Sequence, residues 1–389
     1  MMKILWVNPS FLDYRVPVYQ WLNKLSGGNF YILFSKNRVP ERVQNKIQEA
    51  IGSHAIPFEG ERRITFGKLE KGMANKSISF PVVHGLYDAI KDVNADIIIA
   101  EGFFQWTPFA LLYAFLHKKP LLIDYERTKW TERECPKWRT CYRKIINKFI
   151  VGYLCNGLLT KEYLTDVIGV DSSKIVTGTM SADSEHLSKK IESLSEDERC
   201  RLKTELGLTL NGITYIYTGQ IVERKGLKYV LDVWETHRAN HKDDKLLIIG
   251  EGELLEPYKE KYEDNNGIVF TGPVCYDDIY KYYGIADVLI IPTLEDNWSL
   301  VVPEAMACGL PVATSIYNGC YPELCNEGIN GKTFDPFQRE EVIDTLEYFH
   351  HVNLKEFGLA SKKIESQYNH ESAASKIYEK CNEVFKTRC

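Results

Sequence analysis

Four short β-branched runs constrain this chain most: ITYIYTG (213–219), KLLIIG (245–250), IVFTG (268–272) and DVLIIP (287–292). Most end at Gly or Pro, and each leads into a polar–apolar stretch of helical length, such as LKYVLDVWETH from Leu227. Strands separated by helices pair in parallel, and a parallel sheet needs helices on both faces. The N-terminal half repeats the rhythm less regularly: KILWV (3–7), NFYILF (29–34), ADIIIA (95–100), PLLID (120–124) and KIVTG (174–178). VPVYQWLNKL and FALLYAFL are helical candidates between them.

At 389 residues the chain exceeds one core, so the pattern predicts two doubly wound α/β domains in series. They are expected at residues 1–185 and 186–370, with the Ser-, Glu- and Asp-rich 181–210 as their connection. The final helix, SAASKIYEKCNEVF within about 371–389, is a candidate to cross back to the first domain. Ligands of open α/β sheets bind beyond the C-terminal strand ends, so a cleft between the domains is the expected place for chemistry. No stretch approaches the ~20 apolar residues of a membrane span. MMKILWVNPS suits a first buried strand better than a signal peptide. Ten cysteines without a C-x-x-C pair read as reduced thiols of a cytoplasmic protein. The net charge of −5 conceals a split, because residues 1–180 hold 25 Lys+Arg against 17 Asp+Glu. A positive N-terminal half favours an anionic surface or substrate.

EDNWSLVVPEAMACGLP (295–311) places several acids around one expected helix start. Pro303 belongs in a first turn, which sets the start near Leu300 to Val302, with Ser299 as N-cap. Gly309 ends the helix and Pro311 prevents its return. The N–H groups of Trp298, Ser299, Leu300 and Val301 are then expected to be free to bind a phosphate. Asp296, followed by Asn297, lies in the loop before, Glu304 about one turn inside, and Glu295 reads as an ordinary loop acid. A lone Glu in a first turn ordinarily only favours the helix dipole. Two acids flanking a phosphate suit a nucleotide diphosphate sugar, one on the sugar hydroxyls and the other on the ribose.

This segment, with EAMACGLPVAT, resembles the signature of the family 4 retaining glycosyltransferases of the GT-B fold. Their pattern is a strand ending in Pro-Ser or Pro-Thr, then Glu-x7-Glu opening E-A-x-A-x-G-x-P-V. The spacing Asp296 to Glu304 is kept, with Asp as the first acid. TGQIVERKGLKYVL, from Thr218, resembles the family's Gly-Arg-Leu and Lys-Gly element, whose two bases clasp the diphosphate. Gly219 and Lys225 match; Gln220 stands at the arginine position. Either Arg224 substitutes or one charge is missing. VFTGPV resembles the loop whose backbone meets the base, here Gly272 to Val274. NGCYPELCNEGINGKTF resembles the family's closing element, in which Glu323 caps a helix or braces the site. The likeness is strong over 213–336 and only an outline before it.

In the N-terminal half, Tyr14-Arg15-Val16-Pro17 resembles one branch of the family. Arg15 either reaches a phosphate or fixes its loop. Glu101, Asp124 and Glu126 follow strands on the expected acceptor side, and surface loop acids are an equal reading for them. RTKWTERECPKWRTCYRKIINK (127–148) holds eight Lys+Arg against two Glu, interleaved with Trp130, Trp138 and Tyr142. Such a segment suits an anionic membrane surface or a solvated helix face, and no nucleic-acid motif accompanies it.

The resemblance implies transfer of a sugar from a UDP- or GDP-sugar, with retention, to a glycan or polyprenyl-linked acceptor of cell-surface polysaccharide or glycoconjugate synthesis. Asp296, Lys225 and Glu304 are the expected catalytic residues, and residues 1–185 the acceptor domain. Trp298 is expected beside the donor sugar. No metal or other cofactor is expected, since bases and helix N–H groups supply positive charge and no Asp-x-Asp occurs. The expected location is cytoplasmic, peripheral at the inner membrane face. A catalytically silent nucleotide-sugar-binding subunit and another GT-B enzyme, such as a sugar-nucleotide epimerase, remain the alternatives.

Overall fold

The computed structural model describes residues 2–66, 78–182, 184–209 and 211–387; Asp183 and Leu210 of the expected connection, and positions 388 and 389, lie outside them. The chain divides into two compact units, Met1–Ser181 with His370–Cys389, and Ala182–Asn369.

The first unit contains β1 (Ile4–Val7), β2 (Phe30–Ser35), β3 (Ala55–Phe58), β4 (Arg62–Phe66), β5 (Ile78–Val82), β6 (Ile97–Glu101), β7 (Leu121–Tyr125), β8 (Gly152–Cys155) and β9 (Ile175–Thr177). Seven of these form a parallel sheet ordered β3-β2-β1-β6-β7-β8-β9, and β4 and β5 pair as an antiparallel hairpin that the sequence pattern did not suggest. The strand order reverses at β1, and the segment after it starts the helix Val16–Leu25. That helix packs against the terminal helix His370–Lys386, whose Ala373, Ala374, Ile377, Cys381 and Val384 recur at helical spacing and are buried. Trp6, Tyr19, Phe30 and Phe34 fill the core between sheet and helices.

The second unit contains β10 (Thr214–Thr218), β11 (Lys245–Ile249), β12 (Ile268–Gly272), β13 (Val288–Ile291), β14 (Val312–Ser315) and β15 (Gly331–Phe334). They form one parallel sheet ordered β12-β11-β10-β13-β14-β15, with the order reversing at β10. The stretch 181–210 is not the plain connection expected. It holds helices Ser184–Glu192 and Glu196–Glu205, both in the second unit. Polarity hid a local signal there: Ser195 and Glu198 form a reciprocal capping box at the second helix. The first buries Leu187 and Ile191.

Candidate active site

The switch at β10 brings together the loops after β10 and β13, and their backbones are stitched to each other. The Arg224 carbonyl accepts the Leu294 N–H at 2.8 Å and the Thr293 hydroxyl at 3.3 Å. Gly226 has a φ of +68°, and a Cβ there would lie 2.0 Å from the Pro292 carbonyl oxygen. Only glycine permits this approach, which fixes the turn carrying Lys225. The Lys225 ammonium forms an ion pair with Asp296. The Asp296 carboxylate also accepts the Ser299 hydroxyl at 2.6 Å and the Trp298 N–H at 3.2 Å. Burial alone would raise this carboxyl, but Lys225, Ser299 and the Trp298 N–H together hold it below the usual carboxylate range. The loop after β14 braces the arrangement from behind. Asn318 bridges to Asp296, and its side chain accepts the Ser299 N–H at 3.3 Å.

The helix after β13 spans Val301–Ala307, and Gly309 beyond it has a φ of +87°. Three expectations for its start need correction. Ser299 is not the N-cap; Leu300 holds that position with no side-chain cap, and the Ser299 hydroxyl is committed to Asp296. The N–H groups of Trp298 and Ser299 are not free, being donated to Asp296 and Asn318. Among the described residues no acceptor is found for those of Leu300 and Val301. Glu295 is not an ordinary loop acid but is buried, with 4% exposure. Trp298 is also buried, its ring 6.3 Å from that of Tyr368. Glu323 lies in the short helix Tyr321–Leu324.

Beyond the C-terminal ends of β10 and β11 lies a cavity of about 250 Å³. Gly219, Gln220, Val274, Val301 and Glu304 line it, together with Tyr276 and Tyr283. Glu304 accepts the Tyr276 hydroxyl at 3.3 Å and the Tyr283 hydroxyl at 3.4 Å. Tyr283 also meets the Thr218 hydroxyl at 3.1 Å. Burial, then the Glu304 charge, hold the Tyr283 phenol well above its usual range, so it stays a neutral donor. A carboxylate set in this pocket and steadied by two phenols suits an adjacent pair of ligand hydroxyls. Arg224, Lys225, Gly272, Asp296, Asn297, Trp298, Ser299 and Leu300 do not line this cavity. The Arg224 guanidinium donates to the Gln220 amide oxygen at 2.8 Å, so the departure at 220 and its candidate replacement are in contact. Tyr276 and Tyr283 escaped the sequence reading because aromatics in a helical stretch look like core; their hydroxyls are visible only once Glu304 is placed.

In the first unit the three acids form a cluster in which Asp124 is fully buried and Glu101 and Glu126 are half-buried. Arg15 is 2% exposed and pairs with Asp124 and Glu126, each at 2.8 Å, while donating to the Thr179 carbonyl at 3.4 Å. These contacts support the reading in which Arg15 fixes its loop. Glu101 accepts the Trp6 indole N–H at 3.4 Å, and one oxygen each of Glu101, Asp124 and Glu126 lie within 4.8 Å of one another. Burial pushes Asp124 up to about 7 against the pull of Arg15. Burial and the Asp124 charge push Glu101 well above the usual range.

The basic segment is partly consumed by the fold. Arg127 and Arg143 pair with Glu132, Lys129 pairs with Asp166, and Arg133 and Arg139 lie over Trp130 and Trp138. Lys137, Lys144 and Lys148 are exposed.

Residues 198–362 match the family model described as glycosyl transferases group 1. Over these residues the chain is similar to that family. The second-unit residues described above, from Gly219 to Glu323, lie inside the match. The chain is 30% identical over 170 residues to sulfoquinovosyl transferase SQD2 of Arabidopsis thaliana, covering 42% of the chain and 32% of that protein. It is 26% identical over 168 residues to the lipopolysaccharide 1,2-N-acetylglucosaminetransferase of Salmonella typhimurium, covering 40% and 44%. The chain thus spans a third to under half the length of these curated relatives. Over whole chains, the fold is similar to Anabaena HepE in complex with UDP, with a TM-score of 0.75 at 14% identity, covering 98% of this chain and 100% of that one. A glycosyltransferase of Rickettsia africae gives 0.73 at 15% identity, covering 99% and 98%. These likenesses identify the two-sheet architecture as GT-B.

Proposed function

We propose that the chain transfers a sugar from a UDP- or GDP-sugar to a hydroxyl of a glycan or lipid-linked acceptor, with retention of anomeric configuration and without a metal. The observation that carries this reading is the Lys225–Asp296 pair fixed beside the helix start, with Glu304 in the neighbouring cavity. In the reaction, the bond between the sugar anomeric carbon and the β-phosphate oxygen breaks, and its electron pair leaves with the phosphate. The acceptor oxygen forms the new bond on the same face, and its proton passes to the departing phosphate. Lys225 has three N–H donors, so it can hold Asp296 and still meet the diphosphate. Arg224, resting on Gln220, is the second base, and the Leu300 and Val301 N–H groups complete the positive field. Asp296 orients the sugar and Glu304 the ribose.

Glu304→Gln keeps the shape but removes the charge, so UDP is expected to bind roughly ten- to a hundredfold more weakly by calorimetry. Unchanged affinity would remove Glu304 from the nucleotide site.

Acceptor recognition is assigned to the first unit, and its lipid-linked form to an exposed patch there. In the helix Lys137–Asn147, Trp138 and Ile145 lie seven residues apart and are exposed, with Lys137 and Lys144 one position before each. Phe149 is exposed beyond the helix and touches the exposed Phe115 edge-on at 6.1 Å. Apolar rings rimmed by lysines suit an anionic bilayer surface, and among the described residues no helix is long and apolar enough to cross a membrane. In flotation assays the chain is expected to rise with anionic vesicles, and Lys144→Glu to weaken this; equal recovery with neutral vesicles would contradict the assignment.

A further inference from the structure

At the N-terminal edge of the second sheet, away from the nucleotide cavity, four histidines and two acids converge. His237 lies in the last turn of the helix Leu227–Arg238, His241 lies one turn beyond, and Asp244 immediately precedes β11. Glu347 lies in the last turn of the helix Arg339–Tyr348, and His350 and His351 follow in a short turn. The Nε2 atoms of His237 and His350 both lie 2.8 Å from the same Asp244 oxygen. His241 Nε2 lies 2.6 Å from one Glu347 oxygen and His351 Nε2 3.0 Å from the other. The His241 and His350 rings stack at 3.6 Å, and two sets of three ligand atoms, sharing His237, each fall within 4.8 Å.

We propose that this cluster binds one divalent transition-metal ion of the zinc class, through His237, Asp244 and His350, with His241, oriented by Glu347, as the fourth ligand. Two side chains aimed at one carboxylate oxygen already converge on a point. A tetrahedral zinc site has ligand atoms ~3.3 Å apart, so these contacts need to open by only ~0.5 Å. The Ile213 N–H donates to the other Asp244 oxygen at 2.8 Å and orients the carboxylate. Asp244 and Glu347 together balance a divalent charge. The ion would tie the ends of two helices to the β10–β11 edge, a structural role independent of sugar transfer.

The test uses the tag-free full chain, stripped with a chelator and titrated with Co2+ and then Zn2+. One equivalent of Co2+ is expected, with the ligand-field absorption of a nitrogen/oxygen site, no thiolate charge-transfer band, and displacement by Zn2+. Zn2+ is expected to raise the melting temperature of wild type but not of His350→Ala, with affinity at least tenfold lower in that variant. The more exposed His241→Asn serves as a second variant should His350→Ala fold poorly. Binding no tighter in wild type than in these variants, or a thiolate spectrum, would overturn the proposal.

Discussion

Lys225→Ala is expected to lower the rate constant for transfer by about 10²–10³-fold, the usual cost of removing one preorganised donor from a developing oxyanion. Lys225 is held against the Asp296 loop by its ion pair, and the Arg224 carbonyl and Gly226 fix its turn. In the proposed reaction a point charge so placed would act most on the departing diphosphate, so the loss should fall on kcat more than on KM for the donor. The substitution also leaves Asp296 buried without its ammonium, keeping only the Ser299 hydroxyl and the Trp298 N–H. In wild type this carboxyl lies below its ordinary 3.8, so its pairing contributes stability above that pH and loses it as acid protonates the carboxylate. The variant should therefore be less stable than wild type at neutral pH and converge on it below about pH 4. Steady-state kinetics with UDP calorimetry and melting curves across pH separate the two effects. An unaltered kcat would remove Lys225 from the chemistry.

Arg15→Ala is expected to cost about 3–5 kcal/mol, because it strips the counter-ion from buried carboxylates rather than removing a whole ion pair. Asp124 is fully buried, and Glu101 and Glu126 lie beside it. A carboxyl raised above its unfolded value favours the folded state only while protonated. Its contribution is complete below the unfolded value near 3.8 and is lost as pH rises through the folded value, about 7 for Asp124 with Arg15 present. Without Arg15 the carboxyls rise further. The deficit should thus be small at pH 4, largest above pH 8, and visible as a falling urea midpoint between them. An equal deficit at both ends would mean that Arg15 acts through packing on Trp6 instead, whose ring lies 5.7 Å from the guanidinium.

Nine strands of the two parallel sheets were legible because buried parallel strands read as continuous β-branched runs, KLLII and DVLII among them, whereas β3, β8, β14 and β15 (AIPF, GYLC, VATS and GKTF) are short and carry Gly, Pro or small polar residues. The helix after β13 was legible through Pro303 and Gly309, whose backbone limits act locally. What polarity suggested was less secure. The 181–210 stretch looked like a connector because its helices bury only one stripe, and Ser195–Glu198 needed reading as a capping box. Ser299 was misassigned because a hydroxyl before a helix caps it only if nothing stronger competes, and Asp296 competes. Asp124 looked like a loop acid because its partner Arg15 lies 109 residues away. The histidine cluster has one local trace, His237 and His241 spaced one helical turn apart; Asp244, Glu347 and His350 join them only through the sheet.

The central claim is that the Lys225–Asp296 loop and the Glu304 cavity serve a nucleotide diphosphate sugar. The most direct measurement is release of nucleoside diphosphate from a panel of UDP- and GDP-sugars by wild type, Lys225→Ala and Asp296→Ala. Wild type is expected to hydrolyse at least one donor slowly without acceptor, and both variants to lose that activity while folded. No release from any donor, or release that survives both substitutions, would contradict the account.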